Sequence, residues 1–326
     1  MLKVGLIGCG FMGAMHANCY KNIDGVKLVA LADIRREKAE ALADADTKIY
    51  SDGMELIENA DVDIIDICLP TYLHTKYALA AMDKVKYLFI EKPVSLTLDE
   101  SELLLEKSAK LGVQVQVGQV VRFMAPYRCL AQILTEKKYG KVINANFRRI
   151  SPRPNWGWED WLLDDTRSGG ANQDLYIHDI DYILSVFGES NELYSVRNTL
   201  GEKKSYGNTL MKYDDFVVSV EGTWGLPTTF PFSATYRIVF ENATVESAGG
   251  KIMEYTDAGV NEIVVKDEIE VSGSVEGGNI SSLGGYIDEL VYFTDCAKAG
   301  KPVEKASLKD GVASLKFLLT KVAAKQ

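Results

Sequence analysis

The sequence is poor in the residues that mark several common functional classes. Its 326 residues hold only three histidines and five cysteines, and its 36 lysines and arginines are outnumbered by 46 aspartates and glutamates. The formal charge of −10 excludes the basic field with which nucleic-acid binders meet phosphates, and it disfavours an anionic membrane surface as partner. No apolar run reaches the roughly eighteen residues of a membrane span, so no transmembrane helix is expected. The apolar start is interrupted by Gly8, Gly10 and Gly13, and no small-residue cleavage site follows, so it reads as a buried strand and not as a signal peptide. Cys9, Cys19, Cys68, Cys129 and Cys296 are odd in number, scattered and without a Cys-x-x-Cys pair. That argues against a disulfide framework or a zinc site, leaves no metal expected, and fits reduced thiols in the cytoplasm.

What is present is a core-forming chain, 47% apolar, long enough for two domains. Over residues 1–120, short apolar runs alternate with helical patterns. Lys3–Gly8, Val26–Asp33, Asp63–Leu69, Tyr87–Ile90 and Val113–Val117 read as strands. Between them, Met12–Asn22, Arg36–Ala45, Leu73–Val85 and Leu98–Leu111 read as helices. This alternation predicts a parallel, doubly wound α/β sheet of the Rossmann type that binds ligands at the carboxyl ends of its strands. Residues 121–326 change rhythm. A helix over Pro126–Tyr139 and a long strand over Lys141–Ile150 precede a loop rich in Pro, Trp and Gly. A helix over Ala171–Phe187, a strand-rich stretch from Glu192 to Val271, a Gly/Ser-rich loop from Ser272 to Gly285 and two closing helices complete the chain. Strands without intervening helices predict an α+β domain with a large, mostly antiparallel sheet. Val218, Val220, Ile238 and Phe240 are candidates for an apolar sheet face available for self-association.

Gly8-Cys9-Gly10-Phe11-Met12-Gly13 matches G-x-G-x-x-G between a strand and a helix. The first glycine makes the turn, the second admits a pyrophosphate, and the third lets helix and strand pack closely. Asp33 closes the second strand twenty residues after Gly13, where a carboxylate accepts from ribose hydroxyls. NAD is therefore favoured over NADP, although Arg35 and Arg36 would suit a 2′-phosphate. Ile34 and Arg35 flank that position. Leu69, Pro70, Thr71 and His74 at the next strand end, and Glu91 with Lys92 beyond Tyr87–Ile90, complete the expected cofactor lining. Against this stands the reading of an ordinary glycine turn with a solvated aspartate.

With so few histidines, proton-transfer candidates are scarce. Asp174 and His178 are four apart and would share a helix face, the carboxylate orienting the ring as a general base requires. Asp181 extends the same stripe. The alternative is a helix whose polar face meets water. Lys92, at a strand end, could polarise a substrate oxygen or simply form a surface ion pair. His16 reads as structural. Trp156, Trp158 and Trp161 cluster in one loop, where they could wall a sugar pocket or pack in the core.

These pieces together resemble the Gfo/Idh/MocA oxidoreductases, named for glucose–fructose oxidoreductase and inositol dehydrogenase. The matching residues are the glycine loop with His16, Asp33, Pro70-Thr71-Tyr72-Leu73-His74 and Glu91-Lys92-Pro93. Arg122-Phe123, Gly169-Gly170 and Asp174 with His178 complete them in family order. The resemblance implies Lys92, Asp174 and His178 as the catalytic group, with Arg122 and Asp181 near the substrate and a Lys-Pro peptide that is often cis. It implies hydride transfer between a polyhydroxylated small molecule and NAD(H), in a homodimer or homotetramer. Tyr72 and Tyr176 depart from residues common in relatives, and Tyr176 could narrow the pocket or face elsewhere. No arm precedes the first strand, so tightly held NADP is not expected. An NADP-dependent reductase of carbonyls or diols, or a non-catalytic dinucleotide sensor, are the alternatives. The presence of Lys92, Asp174 and His178 favours an enzyme.

Overall fold

The computed structural model describes residues 1–199, 205–267 and 283–322. The first sheet is built from β1 (Leu2–Ile7), β2 (Val26–Ala32), β3 (Lys48–Tyr50), β4 (Ile64–Ile67), β5 (Tyr87–Ile90) and β6 (Gln114–Val117). All pairs are parallel, in the order β3-β2-β1-β4-β5-β6. Helices α1 (Phe11–Tyr20), α2 (Arg36–Glu40), α3 (Gly53–Asn59), α4 (Thr71–Met82) and α5 (Leu98–Leu111) alternate with the strands. Local chemistry sets several helix starts. Asp52 accepts from the N–H groups of Met54 and Glu55 to begin α3. Thr97 and Glu100 form a reciprocal cap on α5, which Gly112 ends in the left-handed region. β3 and α3 carry no clear period in the sequence, being only 3 and 7 residues long.

Helix α6 (Ala125–Glu136) leads into the second sheet: β7 (Val142–Pro152), β8 (Glu192–Thr199), β9 (Ser205–Lys212), β10 (Val217–Leu226), β11 (Ser233–Phe240), β12 (Thr244–Ala248), β13 (Lys251–Thr256) and β14 (Gly259–Glu262). Their order is β14-β13-β12-β11-β7-β10-β9-β8. Only β7 and β10 pair in parallel; the other pairs are antiparallel. Between β7 and β8 lie α7 (Asp165–Ser168) and α8 (Ile177–Phe187), and after residue 283 come α9 (Gly284–Ala299) and α10 (Leu308–Phe317). The closing helices return to the first sheet. Ile287, Leu290 and Phe293 of α9 share a core with Leu6, Met15 and Phe89, and the Val117 N–H donates to Ala306 O. The loop expected over 272–285 lies mostly outside the described residues.

One face of the second sheet is covered by α8. Tyr176, Ile177, Ile180 and Ile183 share a core with Val218, Val220 and Ile238. This corrects the assignment of Val218, Val220, Ile238 and Phe240 to a free face, since they are 0%, 1%, 0% and 4% exposed. Strand side chains alternate, so a reading displaced by one residue selects the opposite face. The open face instead carries Tyr194, Leu210 and Val217, all exposed. Beside them runs a polar ladder in which Asn146 donates to Ser219 (2.7 Å) and Arg148 pairs with Glu221 (3.2 Å).

Candidate active site

The strand order reverses between β1 and β4, which opens a crevice at the carboxyl ends of the strands. The glycine loop lies there. Gly8 takes φ of 94°, and a Cβ on Gly13 would fall 1.8 Å from the Gly8 carbonyl oxygen, so only glycine permits α1 to start so close. A Cβ on Gly10 would meet only Arg35 Nη2, at 3.9 Å, which leaves room above the loop. No side chain caps the N-terminus of α1, and its free N–H groups suit a phosphate. Asp33, 8% exposed, sits beside the loop. Its Oδ2 accepts from the Cys9 N–H (2.8 Å), and its Oδ1 accepts from the Arg35 N–H (2.8 Å) and Nε (3.3 Å). Open space over Gly10, free helix N–H groups and a fixed carboxylate at the end of β2 fit a dinucleotide.

Further along the crevice, the ends of β4 and β5 are tied together. His74 lies between two carbonyl oxygens, with Nδ1 2.8 Å from Pro93 O and Nε2 2.7 Å from Leu69 O. Burial pushes its pKa below the usual histidine value. The Thr71 hydroxyl is buried without a partner. The Lys92-Pro93 peptide is cis. Beneath, fully buried His16 bridges Asp66 (2.8 Å) and Glu91 (3.1 Å), with Cys68 3.3 Å from its Nδ1. Burial opposes its charge, but Cys68 and Asp66 favour it, and the net direction is upward. His16 thus fixes the residue that precedes Lys92.

The catalytic candidates converge across the two sheets. The ammonium of Lys92 donates to Asp174 Oδ1 (2.7 Å) and to the Asp174 carbonyl (2.8 Å). Both side chains are mostly enclosed, 14% and 17% exposed. This corrects the expected Asp174–His178 partnership. Residues Asn172–Tyr176 form a π turn ahead of α8. Such a turn adds a residue and displaces the i, i+4 alignment that an uninterrupted helix would give. His178 Nδ1 is buried without a partner. Burial first, then the charges of Lys92 and Arg149, hold its pKa well below the usual value, so the ring is neutral.

Other candidates are placed differently from expectation. Asp181 is fully buried and takes two hydrogen bonds from Arg122, both 2.7 Å, and one from Ser314 (2.7 Å). Both residues of the pair are consumed in tying α8 to Val120–Phe123 and α10. Tyr176 faces the second sheet, its hydroxyl bonded to Thr209 (2.8 Å) and Val220 O (3.0 Å). A Cβ on Gly222 would lie 2.2 Å from its ring, so the tyrosine fills the space that glycine vacates. Trp156 and Trp161 pack with Leu162, Ala171 and Trp224. Trp158 sits with the Arg35 guanidinium 5.1 Å over its ring, at the Asp33 end. Lys92 is three strands away, about 14 Å at ordinary strand spacing.

Sequence reasoning missed a second clamp on α8. Arg149 donates from Nε and Nη2 to Asp179, both at 2.9 Å, and from Nη2 to Tyr127 (3.1 Å). All three side chains are buried. The signal available was a charged residue at an inward position of β7, whose neighbours Phe147 and Ala145 are apolar.

A crevice that fits a nucleotide lies beside an enclosed lysine–aspartate pair and a buried histidine, and comparison with known proteins gives the family. Residues 2–119 match the oxidoreductase family with an NAD-binding Rossmann fold, and residues 127–246 match the GFO/IDH/MocA C-terminal domain. The chain belongs to the GFO/IDH/MocA oxidoreductase family. It is 32% identical over 196 residues to a myo-inositol 2-dehydrogenase of Thermotoga maritima, covering 59% of this chain and 56% of that protein. It is 27% identical over 207 residues to a glucose-6-phosphate 3-dehydrogenase of Bacillus subtilis, covering 60% and 57%. The matches thus span little more than half the length of these curated relatives. Among solved structures, a levoglucosan dehydrogenase in complex with NADH superposes with a TM-score of 0.83 at 21% identity, covering 99% of this chain and 97% of the other.

Proposed function

We propose that this chain is an NAD(H)-dependent dehydrogenase that oxidises a secondary hydroxyl of a cyclitol, sugar or sugar derivative. The observation that carries this reading is the Lys92–Asp174 pair. An ammonium has three N–H donors, and Asp174 occupies two of them. The third remains for a substrate hydroxyl. There the positive charge stabilises oxygen as it becomes alkoxide-like, and Asp174 fixes the direction of the ammonium. His178, held neutral, is able to accept the hydroxyl proton. A bound nicotinamide would supply the hydride acceptor for the carbon that bears this hydroxyl, so that alcohol and NAD would yield ketone, NADH and a proton.

Names borne by relatives support the substrate class, since myo-inositol and glucose 6-phosphate are both polyols. Asp33 supports NAD over NADP, because a 2′-phosphate would meet its charge. Arg35, already bonded to Asp33, is the feature that favours tolerance of NADP. The five cysteines are free, which supports a reducing, cytoplasmic setting. The exposed apolar side chains on the second sheet support a homodimer or homotetramer formed through that face. No described helix is long and apolar enough to cross a membrane. A panel of cyclitols, sugars and sugar phosphates, assayed by NADH and NADPH absorbance, tests the proposal. Turnover of at least one polyol with preference for NAD is the expected result; turnover only of non-hydroxylic carbonyl compounds with NADPH would overturn it.

A further inference from the structure

We propose that Trp158 and Arg35 form a strap over the adenosine end of the cofactor crevice, through which the second half of the chain holds the dinucleotide. Four observations converge on it. Arg35 reaches over the glycine loop: its Nε is 3.3 Å from Asp33 Oδ1, and its Nη2 lies 3.9 Å from where a Cβ on Gly10 would sit. The same guanidinium lies over the Trp158 ring, with its carbon 5.1 Å from the ring centroid, although Trp158 belongs to the loop that follows β7. Within that loop, Trp156 and Trp161 are rooted in a small core with Leu162, Ala171 and Trp224. Trp158 alone projects, 41% exposed.

The backbone behind Trp158 is strained. Glu159 and Asp160 take φ of 50° and 51°, the left-handed region that favours glycine. Arg167 holds the turn, donating to Glu159 O (2.7 Å) and to Asp164 (3.0 Å). Strain of this kind persists where the surroundings impose it and clusters at ligand clamps. A large aromatic held outward by a strained turn, against an arginine bonded to the ribose-binding carboxylate, is an arrangement suited to a nucleoside. Indole and guanidinium both stack on flat rings, and adenosine presents such a ring beside its ribose.

The test uses the intact protein and needs no substrate. Calorimetry would measure NADH, ADP-ribose and nicotinamide mononucleotide binding to wild type, Trp158→Ala, Trp158→Phe, Arg35→Ala and the double alanine variant. Unfolding midpoints would confirm that each variant is folded. Trp158→Ala is expected to weaken NADH and ADP-ribose by about three- to tenfold, the scale of one partly exposed cation–π or stacking contact. NADH dissociation should accelerate in proportion, and nicotinamide mononucleotide should be unaffected. Trp158→Phe should stay within about twofold of wild type. Because the two side chains act as one element, adding Trp158→Ala to Arg35→Ala should cost less than it costs alone. Unchanged binding of NADH and ADP-ribose by Trp158→Ala would overturn the proposal. So would a loss confined to nicotinamide mononucleotide, or a change in assembly without a change in cofactor affinity.

Discussion

Asp179→Asn tests how the fold holds α8. The substitution keeps the shape of the side chain but removes the charge that two nitrogens of Arg149 address at 2.9 Å. Arg149 and Asp179 are 4% and 0% exposed, so water cannot replace the lost partner. Stranding one charge of a buried pair costs about 3–5 kcal/mol. Unfolding entropy of about 2.1 cal/mol/K per residue gives about 0.7 kcal/mol/K for a 326-residue chain. The melting temperature should therefore fall by about 4–7 °C in scanning calorimetry. Replacing both partners together, Arg149→Met with Asp179→Leu, should recover much of that loss, because no buried charge is left unpaired. Asp179 adjoins His178, so turnover should also fall while NADH affinity stays constant. An Asp179→Asn protein melting within about 1 °C of wild type, well inside the effect expected for a stranded charge, would refute the reasoning.

Three further outcomes follow from the same geometry. Asp33→Ala should narrow or reverse the preference for NAD over NADP without lowering the melting temperature appreciably, as paired calorimetric titrations would show; tighter binding of NADP by the wild type would contradict the role given to Asp33. His178 is held well below the usual histidine pKa, by burial first and then by the charges of Lys92 and Arg149, so the unfolded chain binds more protons there than the folded one and stability should decline as pH drops below about 6.5. His16, held above that value, acts oppositely: its contribution is complete below about pH 6.5 and is lost as pH rises through its folded pKa. Denaturant midpoints that stay flat from neutral pH down to pH values of about 5 would count against the neutral state of His178. Light scattering should report a dimer or tetramer that Leu210→Lys weakens, since Leu210 is 50% exposed on the open face; a monomeric wild type would contradict an interface there.

The cofactor half of the site is legible in the sequence because its demands are local. A glycine whose Cβ would lie 1.8 Å from a carbonyl oxygen is required wherever that turn occurs, and Asp33 follows from the length of one helix and one strand. Lys92 is likewise readable, since a strand end of a parallel sheet faces the crevice. What the sequence hid depends on tertiary packing. The π turn at Asn172–Tyr176 changes which residues face each other without altering the apolar period, so Asp174 was assigned to His178 when Lys92 holds it. Arg122 and Asp181 are far apart in sequence, and nothing local reveals that they satisfy each other. The sheet face covered by α8 is a one-residue choice of phase. Trp158 is exposed where Trp156 and Trp161 pack, and it is followed by left-handed backbone at Glu159 and Asp160, a feature with no compositional mark.

The central claim, that Lys92 polarises the reacting oxygen while His178 takes its proton, is tested most directly by turnover and primary kinetic isotope effects. These would be measured for Lys92→Ala and His178→Ala on a substrate from the polyol panel, with NADH binding measured alongside. His178→Ala is expected to lose ~10²–10⁴-fold in kcat, the usual share of general-base catalysis, and Lys92→Ala at least as much. Both should bind NADH as the wild type does. Near-wild-type turnover by both variants would place the chemistry on residues other than these.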